Sequence, residues 1–589
     1  MVAVHVHEMQ VSPENATSGD HAVDNKRRPT ASVRQRLQRA AVNMRNPNFL
    51  FKLSLFVLAH IWAVMASVHN FPKAQPFLLM LGLCWIASLH YIFGSYATPT
   101  KESKCFKQLK RLIIEMKDYQ WTPMIACSAF ATCLAIFLAI DTSSERSRLF
   151  GLLGIAFFIL LLVALSTERS KIKWQTVGWG FLLQFCFGMI SLRWKWGSHK
   201  FQQFADLTVD FLELTNKGTE FVYGFLAKPP AICEISPVFV FTALQVLVFF
   251  ASVVTLLYYY GIIQWLLRRM AIVMQLTLGT TAVESLNACA CVFLGQAESA
   301  LLIRPYLEKQ TASELHAIMT SGFSCIAGSL FAAYVSFGAC PKYLLSSTIM
   351  SAPGSLACSK IMFPENEESQ VETVADLDLP ESEESNPLEC ISNGAMAGIH
   401  LVVAIAANLV AVLALLGLVD STLYYFGDLI GQGPWSLEHL LGYLMFPVAF
   451  VMGVTSDVQE TLHVARLIGT KTAVNEFIAY KKLGDLISSP SQKLSPRSAM
   501  IATYALCGFS NFCTIGIALG ILGGLAPSKK QVLSETIFRA LLTGCVCCLY
   551  TATLAGILVH DPELCRPSNA AMTCFSIANE LNKSTSISK

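Results

Sequence analysis

The amino-acid sequence predicts an all-α polytopic membrane protein, and three observations support this fold class. Only 14% of the 589 residues are charged and 53% are hydrophobic, whereas soluble proteins carry about 25% charged residues. Apolar runs long enough for a helix of about 20 residues to cross a bilayer recur along the chain. Polar residues interrupt the later runs, which is typical of discontinuous helices around a site at the membrane midplane. The clearest spans begin near Leu53, Pro76, Pro123, Leu149, Thr176, Pro237, Ala395 and Leu437.

The segment before the first span is polar and basic. Residues 1–48 are predicted to form a disordered tail, and the stretch from Lys26 to Lys52 carries basic side chains without any acid. Because Lys and Arg accumulate on the cytosolic side of membrane proteins, the N-terminus is predicted to be cytosolic. A nucleic-acid partner is the other reading of such a basic cluster, and the many spans argue against it. Residues 49–147 are then predicted to form extra N-terminal transmembrane helices.

The next region, 148–236, is predicted to contain further spans followed by an interfacial helix. Its last part, "HKFQQFADLTVDFLELTNKGTEFVYGFL", places apolar residues at helical spacing with charges between them. That pattern predicts an amphipathic helix lying in the membrane interface, although a helix in a soluble loop has the same pattern. The acidic, Ser-rich stretch 364–392 is predicted to be a flexible, solvated loop.

Two groups of interrupted apolar segments are predicted to form two halves of one functional unit. The first, 237–363, contains "NACACVFLGQAESALL", and the second, 393–560, contains "TKTAVNEFIAY" and "ALCGFSNFCTIGIALG". Interruptions in both halves predict discontinuous helices around a binding site at the membrane midplane. Residues 561–589 follow the last span as a tail.

Polar side chains at these interruptions are the candidate binding residues. A charged side chain at the centre of a membrane helix costs about 2.5–3.5 kcal/mol, so Glu298 is expected to face a cavity or a partner. Gln296 adds an amide that both donates and accepts hydrogen bonds. Glu476 supplies a second carboxylate, and Asn511 a second amide beside Phe509. Carboxylates, amides and aromatic rings together suit a small, polar, ring-containing solute.

Other functions for the same residues follow from the sequence. Glu298 can instead pair with Arg304 to hold helices together. A channel or a receptor would use the same intramembrane carboxylates. No catalytic residues are predicted, because the sequence has no HExxH, GxSxG or Walker A motif. Metalloproteases, esterases and ATP-driven pumps therefore lack their usual residues here, and the protein is not expected to be an enzyme.

Between about residues 170 and 560 the chain resembles the concentrative nucleoside transporters. The resembling motifs, in order, are "GQAESALLIRPYL", "FSCIAGSLFAAYVSFG", "VAIAANLVAVLALLGLV", "FPVAFVMGV", "IGTKTAVNEFIAY", "ATYALCGFSNFCTIGIALG" and "RALLTGCVCCLYTATLAGIL". The resemblance implies that 148–236 contributes scaffold spans and that 237–363 and 393–560 form an inverted-repeat transport domain with one re-entrant hairpin in each half. It further implies about 11 transmembrane helices and a homotrimer in the lipid membrane. It also implies a symporter that imports nucleosides such as uridine and adenosine across the plasma membrane with Na+ or H+ and without a cofactor.

By the same resemblance, seven positions form the substrate site. They are Gln296, Glu298, Leu330, Glu476, Phe509, Asn511 and Thr514. Gln296 and Glu298 are expected to hold the nucleobase at the tip of the first hairpin, with Leu330 contacting it from a facing helix. The second carboxylate, the amide and the hydroxyl are expected to hold the ribose, with the phenylalanine lining the pocket.

The resemblance also implies a sodium site, at Cys291, Leu294, Cys325 and Ile326. Sodium-coupled members have oxygen-bearing side chains where this chain has the two cysteines, and hard cations prefer oxygen to sulfur. Either the carbonyls of Leu294 and Ile326 with water still hold sodium, or protons drive transport through an intramembrane carboxylate. Ala297 and Ala300 replace a usual hydroxyl and proline, which leaves base selectivity open and makes a member without transport activity conceivable.

The animal members of the family imply an extracellular C-terminus. Cys565 and Cys574 follow the last span, and an oxidising exterior would allow them to pair. The sequon at Asn582 would then be a glycosylation site.

Overall fold

The computed structural model describes residues 47–69, 78, 81–82, 85, 139–143, 145–229, 238–371, 377, 382, 384–431, 435–489 and 494–565. Every regular element in these residues is a helix, which confirms the predicted all-α class. The chain divides into two compact units, Met1–Ala131 and Thr132–Lys589. In the first unit, helix α1 spans Pro47–His69 and matches the first predicted span. The predicted tail and the spans near Pro76 and Pro123 lie mostly outside the described residues.

The second unit begins with two apolar helices, α2 and α3, and two more polar ones, α4 and α5. Their bounds are α2 Gly151–Leu165, α3 Trp174–Gly188, α4 Lys195–Glu213 and α5 Thr215–Tyr223. The 3-10 turn Arg146–Phe150 precedes α2, and the π turn Met189–Arg193 extends α3. Helix α4 buries Ala205 and Leu212, which lie two turns apart, and exposes polar residues such as Gln203 and Asp206 together with the apolar Phe204 and Leu207. Its place at the membrane interface stays a prediction.

Two groups of helices in the second unit then repeat one order: a single helix, a helix hairpin, an interrupted helix and a long helix. Before the first group come α6 Phe239–Thr242 and α7 Val246–Tyr259. The first group is α8 Ile262–Leu278, α9 Ala282–Ala290, α10 Gln296–Leu302, α11 Ala312–Ser324, α12 Phe331–Ser336 and α13 Pro341–Met362. After α14 Pro387–Leu429, the second group is α15 Leu437–Val451, α16 Val458–Ala473, α17 Glu476–Ser488, α18 Pro496–Leu506, α19 Phe512–Leu525 and α20 Lys530–Leu558. Both predicted hairpins, α9–α10 and α16–α17, are therefore present.

Six helices in the described residues are long and apolar enough to cross a membrane. They are Arg146–Leu165, Trp174–Arg193, Phe239–Tyr259, Ala312–Ser336, Pro387–Leu429 and Pro527–Leu558. These helices confirm a polytopic membrane protein. The predicted total of about 11 spans includes segments outside the described residues, so that total stays a prediction.

Glycines allow several pairs of helices to approach closely. A Cβ atom at Gly180 of α3 would lie 2.7 Å from the Ala357 Cβ on α13, and one at Gly188 would lie 2.7 Å from Leu558 on α20. Gly394 and Gly398 of α14 meet the backbone of α7 equally closely. Helices α2 and α3, predicted to be scaffold spans, pack on long helices of the two repeats, and α7 and α14 pack against each other. The domain boundaries themselves stay predictions.

Helix α14 begins inside the stretch predicted to be a loop. The Asn386 side chain accepts hydrogen bonds from the backbone N–H groups of Leu388 and Glu389 at 3.1 and 3.0 Å, and proline suits the first helical position. This cap starts the helix at Pro387, so the acidic loop is shorter than 364–392. The loop is also anchored, because Glu365 forms an ion pair with the buried Lys360.

A disulfide bond joins Cys340, before α13, to Cys565, after α20. Cys565 is therefore bonded to Cys340 and not to Cys574, the partner that an extracellular C-terminus would also have allowed. Sequence order favoured the nearer partner, but the fold brings the start of α13 beside the end of α20. The backbone N–H of Glu563 donates to the Tyr343 hydroxyl at 2.7 Å and holds the same connection. Cys574 and Asn582 lie outside the described residues.

Candidate functional site

The predicted site residues lie at four helix interruptions, two in each repeat. The hairpins are interrupted between Ala290 and Gln296 and between Ala473 and Glu476. The long helices are interrupted between α11 and α12 and between α18 and α19. Local sequence explains the restarts in the second repeat, because Asn475 and Asn511 are N-caps whose side chains accept from the backbone N–H of Ile478 and Thr514, each at 3.0 Å.

The interruptions lie against one another. In the first repeat, the backbone N–H of Gly328 donates to the carbonyl of Phe293 at 3.2 Å. A Cβ atom at Gly295 would lie 3.1 Å from the Cβ of Ala327. Between the repeats, α10 packs on α19 and α12 packs on α17. The fold therefore gathers residues from both repeats into one region, as the interrupted pattern predicted.

Glu476 is the centre of a buried hydrogen-bond cluster in this region. The Tyr334 hydroxyl donates to Glu476 Oε1 at 3.2 Å, and Asn511 Nδ2 donates to Oε2 at 2.8 Å. Asn511 Oδ1 accepts from the Thr514 hydroxyl at 2.9 Å. Glu476 is 3% exposed and Asn511 1% exposed. An ionised carboxylate has about four lone-pair sites, so this one can still accept hydrogen bonds from a ligand.

Gln296 and Glu298 lie in the first turn of α10. Both polar atoms of the Gln296 amide are buried and have no hydrogen-bond partner, and its side chain packs against Gly322. A buried polar group without a partner costs about 1–3 kcal/mol, so this amide is suited to bind a ligand. The Glu298 carboxylate turns back over Gly295, whereas Arg304 is exposed. The structure does not favour an assembly role for a Glu298–Arg304 pair.

Leu330 and Phe509 occupy the other two interruptions. Leu330 is 4% exposed and ends the 3-10 turn Gly328–Leu330 between α11 and α12. Phe509 is half-buried between α18 and α19, where it packs against the hydrophobic core. Of the seven predicted residues, the structure joins Glu476, Asn511 and Thr514 by direct hydrogen bonds and places the others at the neighbouring interruptions.

Two residues in this region were missed by the sequence analysis, Tyr334 and Lys471. Lys471 is 2% exposed, and its ammonium donates to the Ser510 hydroxyl at 2.6 Å and to the Ala505 carbonyl at 3.3 Å. It thereby ties α16 to the interruption that carries Asn511. A lysine inside an apolar run is itself a functional signal and was available in "IGTKTAVNEF". Tyr334 offered no local signal, because aromatic residues are common in apolar helices.

The predicted sodium-site residues are all buried. Cys291 Sγ lies 3.3 Å from the Ser299 hydroxyl, and Cys325 Sγ lies 3.8 Å from the Thr348 carbonyl. Ser299 and Thr348 are oxygen-bearing residues that the sequence analysis did not consider. The described residues contain no group of three or more His, Cys, Asp or Glu side chains that could hold a metal ion. Hard cations prefer carbonyl and hydroxyl oxygens to sulfur.

Three parts of the chain match known sequence families. Residues 153–226 match the N-terminus of Na+ dependent nucleoside transporters, residues 343–556 match their C-terminus, and residues 240–340 match a nucleoside-recognition domain. The chain is 36% identical over 546 residues to sodium/nucleoside cotransporter 2 of Rattus norvegicus, covering 90% of this chain and 80% of that protein. It is also 36% identical to solute carrier family 28 member 3 of Homo sapiens, covering 85% and 73% of the two chains.

Solved structures agree with these matches. The transporter CNTnw in an inward-facing substrate-bound state is similar with a TM-score of 0.66 at 32% identity, over 70% of this chain and 98% of that one. An outward-facing CNTnw variant is similar with a TM-score of 0.65. The matches thus cover both repeats, and the two similar structures are in an inward-facing and an outward-facing state. This chain belongs to the concentrative nucleoside transporter family, whose members are cation-coupled symporters that move nucleosides by alternating access.

Proposed function

We propose that this chain imports nucleosides across the plasma membrane and binds them at the four interruptions. The amide of Gln296, whose two polar atoms are buried and have no hydrogen-bond partner, supports this proposal most directly. A nucleobase edge presents donors and acceptors side by side and would satisfy both amide atoms. Glu298, on the same turn of α10, supplies an acceptor for base N–H groups, and Leu330 supplies an apolar contact.

The ribose is proposed to bind at the Glu476 cluster. Ribose hydroxyls are donors, and the Glu476 carboxylate keeps free lone pairs after accepting from Tyr334 and Asn511. Thr514 adds a hydroxyl that can reorient towards a ligand, and Phe509 offers an aromatic face at the edge of the cluster. Both repeats therefore contribute to one nucleoside site.

Replacing Gln296 by Leu tests this arrangement. Gln296→Leu keeps the size of the side chain and removes both polar atoms, so the KM for uridine and adenosine is expected to rise about tenfold. Gln310→Leu is the matched control, because Gln310 is also buried and has one unpartnered amide oxygen, but it lies away from the interruptions. Uptake kinetics corrected for the amount of transporter at the surface give both values. An equal change in the two variants would contradict the base-binding role.

The coupling ion is proposed to be sodium, bound weakly between Cys291, Leu294, Cys325 and Ile326. The description of the matched family as Na+ dependent supports sodium, and nearby carbonyl and hydroxyl oxygens fit a hard cation. Replacing both thiols by oxygen-bearing groups, Cys291→Asn with Cys325→Thr, is expected to lower the sodium concentration for half-maximal uridine uptake about tenfold. Cys390→Ser, at a buried thiol outside this region, serves as the control. If the double variant has the same sodium dependence as the wild type, and if uptake in the absence of sodium rises at acid pH, the coupling ion is instead the proton.

The C-terminus is proposed to be extracellular and the N-terminus cytosolic. Disulfide bonds persist outside the cytosol, and the Cys340–Cys565 bond lies just beyond the end of α20. Antibody access to a C-terminal tag on intact cells tests this orientation. A homotrimer is also proposed. In the most apolar 18-residue stretch of Pro387–Leu429, only 6% of the residues are buried within the chain, so this helix has apolar surface for lipid and for other subunits. The mass of the purified complex tests the trimer.

A further inference from the structure

Tyr334 links the first repeat to the second hairpin. It lies in α12 and is completely buried. Its hydroxyl donates to Glu476 Oε1 at 3.2 Å, across 142 positions of the sequence. Its ring packs against those of Phe477 and Tyr480, with centroid distances of 5.2 and 4.6 Å. Because the ring is held by two aromatic neighbours, the hydroxyl has a fixed position from which to donate.

The hydrogen bond from Tyr334 fixes the orientation of the Glu476 carboxylate together with the one from Asn511. The terminal torsion of a glutamate side chain has a broad, weakly restricted range. Asn511, the N-cap of α19, holds one oxygen, and Tyr334 in α12 holds the other. With a donor on each oxygen, the plane of the carboxylate is set by two elements from different repeats. The directions of its remaining lone pairs are set by the same two contacts.

We propose that Tyr334 is a positioning residue for ribose recognition, which orients the Glu476 carboxylate so that its remaining lone pairs meet a ribose hydroxyl. This inference rests on the proposed function, in which Glu476 accepts from the ribose. Tyr334 acts through Glu476 and does not itself contact the nucleoside. Losing its hydroxyl therefore weakens selection for the ribose hydroxyls specifically, while binding of the base is kept.

A pair of conservative substitutions isolates this role. Tyr334→Phe removes the hydroxyl and keeps the packed ring. Tyr480→Phe removes a hydroxyl from the neighbouring buried ring, which donates to the Thr503 carbonyl at 2.9 Å and has no hydrogen bond to Glu476. The KM values of uridine, 2′-deoxyuridine and 3′-deoxyuridine are measured for the wild type and both variants. Each KM is compared within one variant, so differences in surface amount cancel.

The expected result is a change in ratio rather than in overall activity. Tyr334→Phe should raise the KM for uridine about tenfold. The KM for whichever of 2′-deoxyuridine and 3′-deoxyuridine the wild type binds more weakly should change by less than about twofold. The ratio of these two KM values, which measures discrimination for the ribose hydroxyl, therefore shrinks. Tyr480→Phe should leave the discrimination of the wild type intact. Discrimination that persists in Tyr334→Phe, or an equal rise for all three nucleosides, would overturn the inference and leave the proposed ribose site standing. A wild type that does not discriminate among the three nucleosides would instead remove the ribose role of Glu476 itself.

Discussion

Glu476→Gln is expected to reduce uridine uptake per transporter about 100-fold. Both oxygens of the carboxylate accept hydrogen bonds, from Tyr334 and Asn511. A glutamine would direct its NH2 group at one of these donors and would lose the charge that the ribose hydroxyls meet. Removing one member of a buried, hydrogen-bonded charged group costs about 2–5 kcal/mol, and about 2.7 kcal/mol corresponds to 100-fold.

A second glutamate provides the control for this substitution. Glu438 on α15 pairs with Lys482 on α17, and its side chain is 37% exposed. Because exposed ion pairs contribute about 0–1 kcal/mol, Glu438→Gln is expected to keep most of the uptake although it touches the same hairpin. Initial uptake rates divided by surface protein give the comparison. If Glu476→Gln transports as well as Glu438→Gln, the binding cluster has been assigned to the wrong carboxylate.

Lys471→Met is expected to lower uridine uptake at least about tenfold. The methionine keeps the length of the apolar stem, but the Ser510 hydroxyl and the Ala505 carbonyl lose their buried donor. The interruption between α18 and α19 is then no longer tied to α16, and the position of Asn511 is less well fixed. The positive charge near Glu476 is lost as well. Uptake and the melting temperature of the purified variant are measured together, which separates a loss of function from a loss of folding.

Ser510→Ala removes one acceptor of this lysine and leaves its charge in place. Its expected effect on uptake is smaller, about threefold, because the ammonium keeps the Ala505 carbonyl and can recruit water. A Lys471→Met variant with normal uptake, or a Ser510→Ala variant as impaired as Lys471→Met, would contradict the role given to the lysine charge.

The helical class and the positions of the interruptions follow from the sequence because both depend on local composition. Long apolar runs predict spans, and a polar residue inside such a run is rare enough to mark a site. For this reason Gln296, Glu298, Glu476 and Asn511 could be chosen as candidate binding residues from the sequence. Asn511 carries an additional local signal, since asparagine is a preferred N-cap and α19 starts directly after it.

Contacts between distant parts of the chain could not be predicted in this way. The Tyr334–Glu476 hydrogen bond and the Cys340–Cys565 disulfide join residues separated by 142 and 225 positions. Hydropathy predicts the length of a helix but not its neighbours. The glycines that let α3 approach α13 and α20 are recognisable only once the partner helices are known. Lys471 is a different case, because its charge in an apolar segment was visible and its partners were not.

A chain that concentrates nucleosides at the expense of a cation gradient must accumulate them inside cells. Labelled uridine and adenosine are supplied to cells that express the chain, with sodium present or replaced by choline, at pH 5.5 and 7.5. One monovalent cation crossing 100 mV provides about 2.3 kcal/mol, which supports roughly fiftyfold accumulation. We expect an internal nucleoside concentration well above the external one in sodium at pH 7.5, and a loss of accumulation in choline at the same pH. Uptake that only equilibrates in every condition, or no uptake by protein present at the surface, would contradict this expectation.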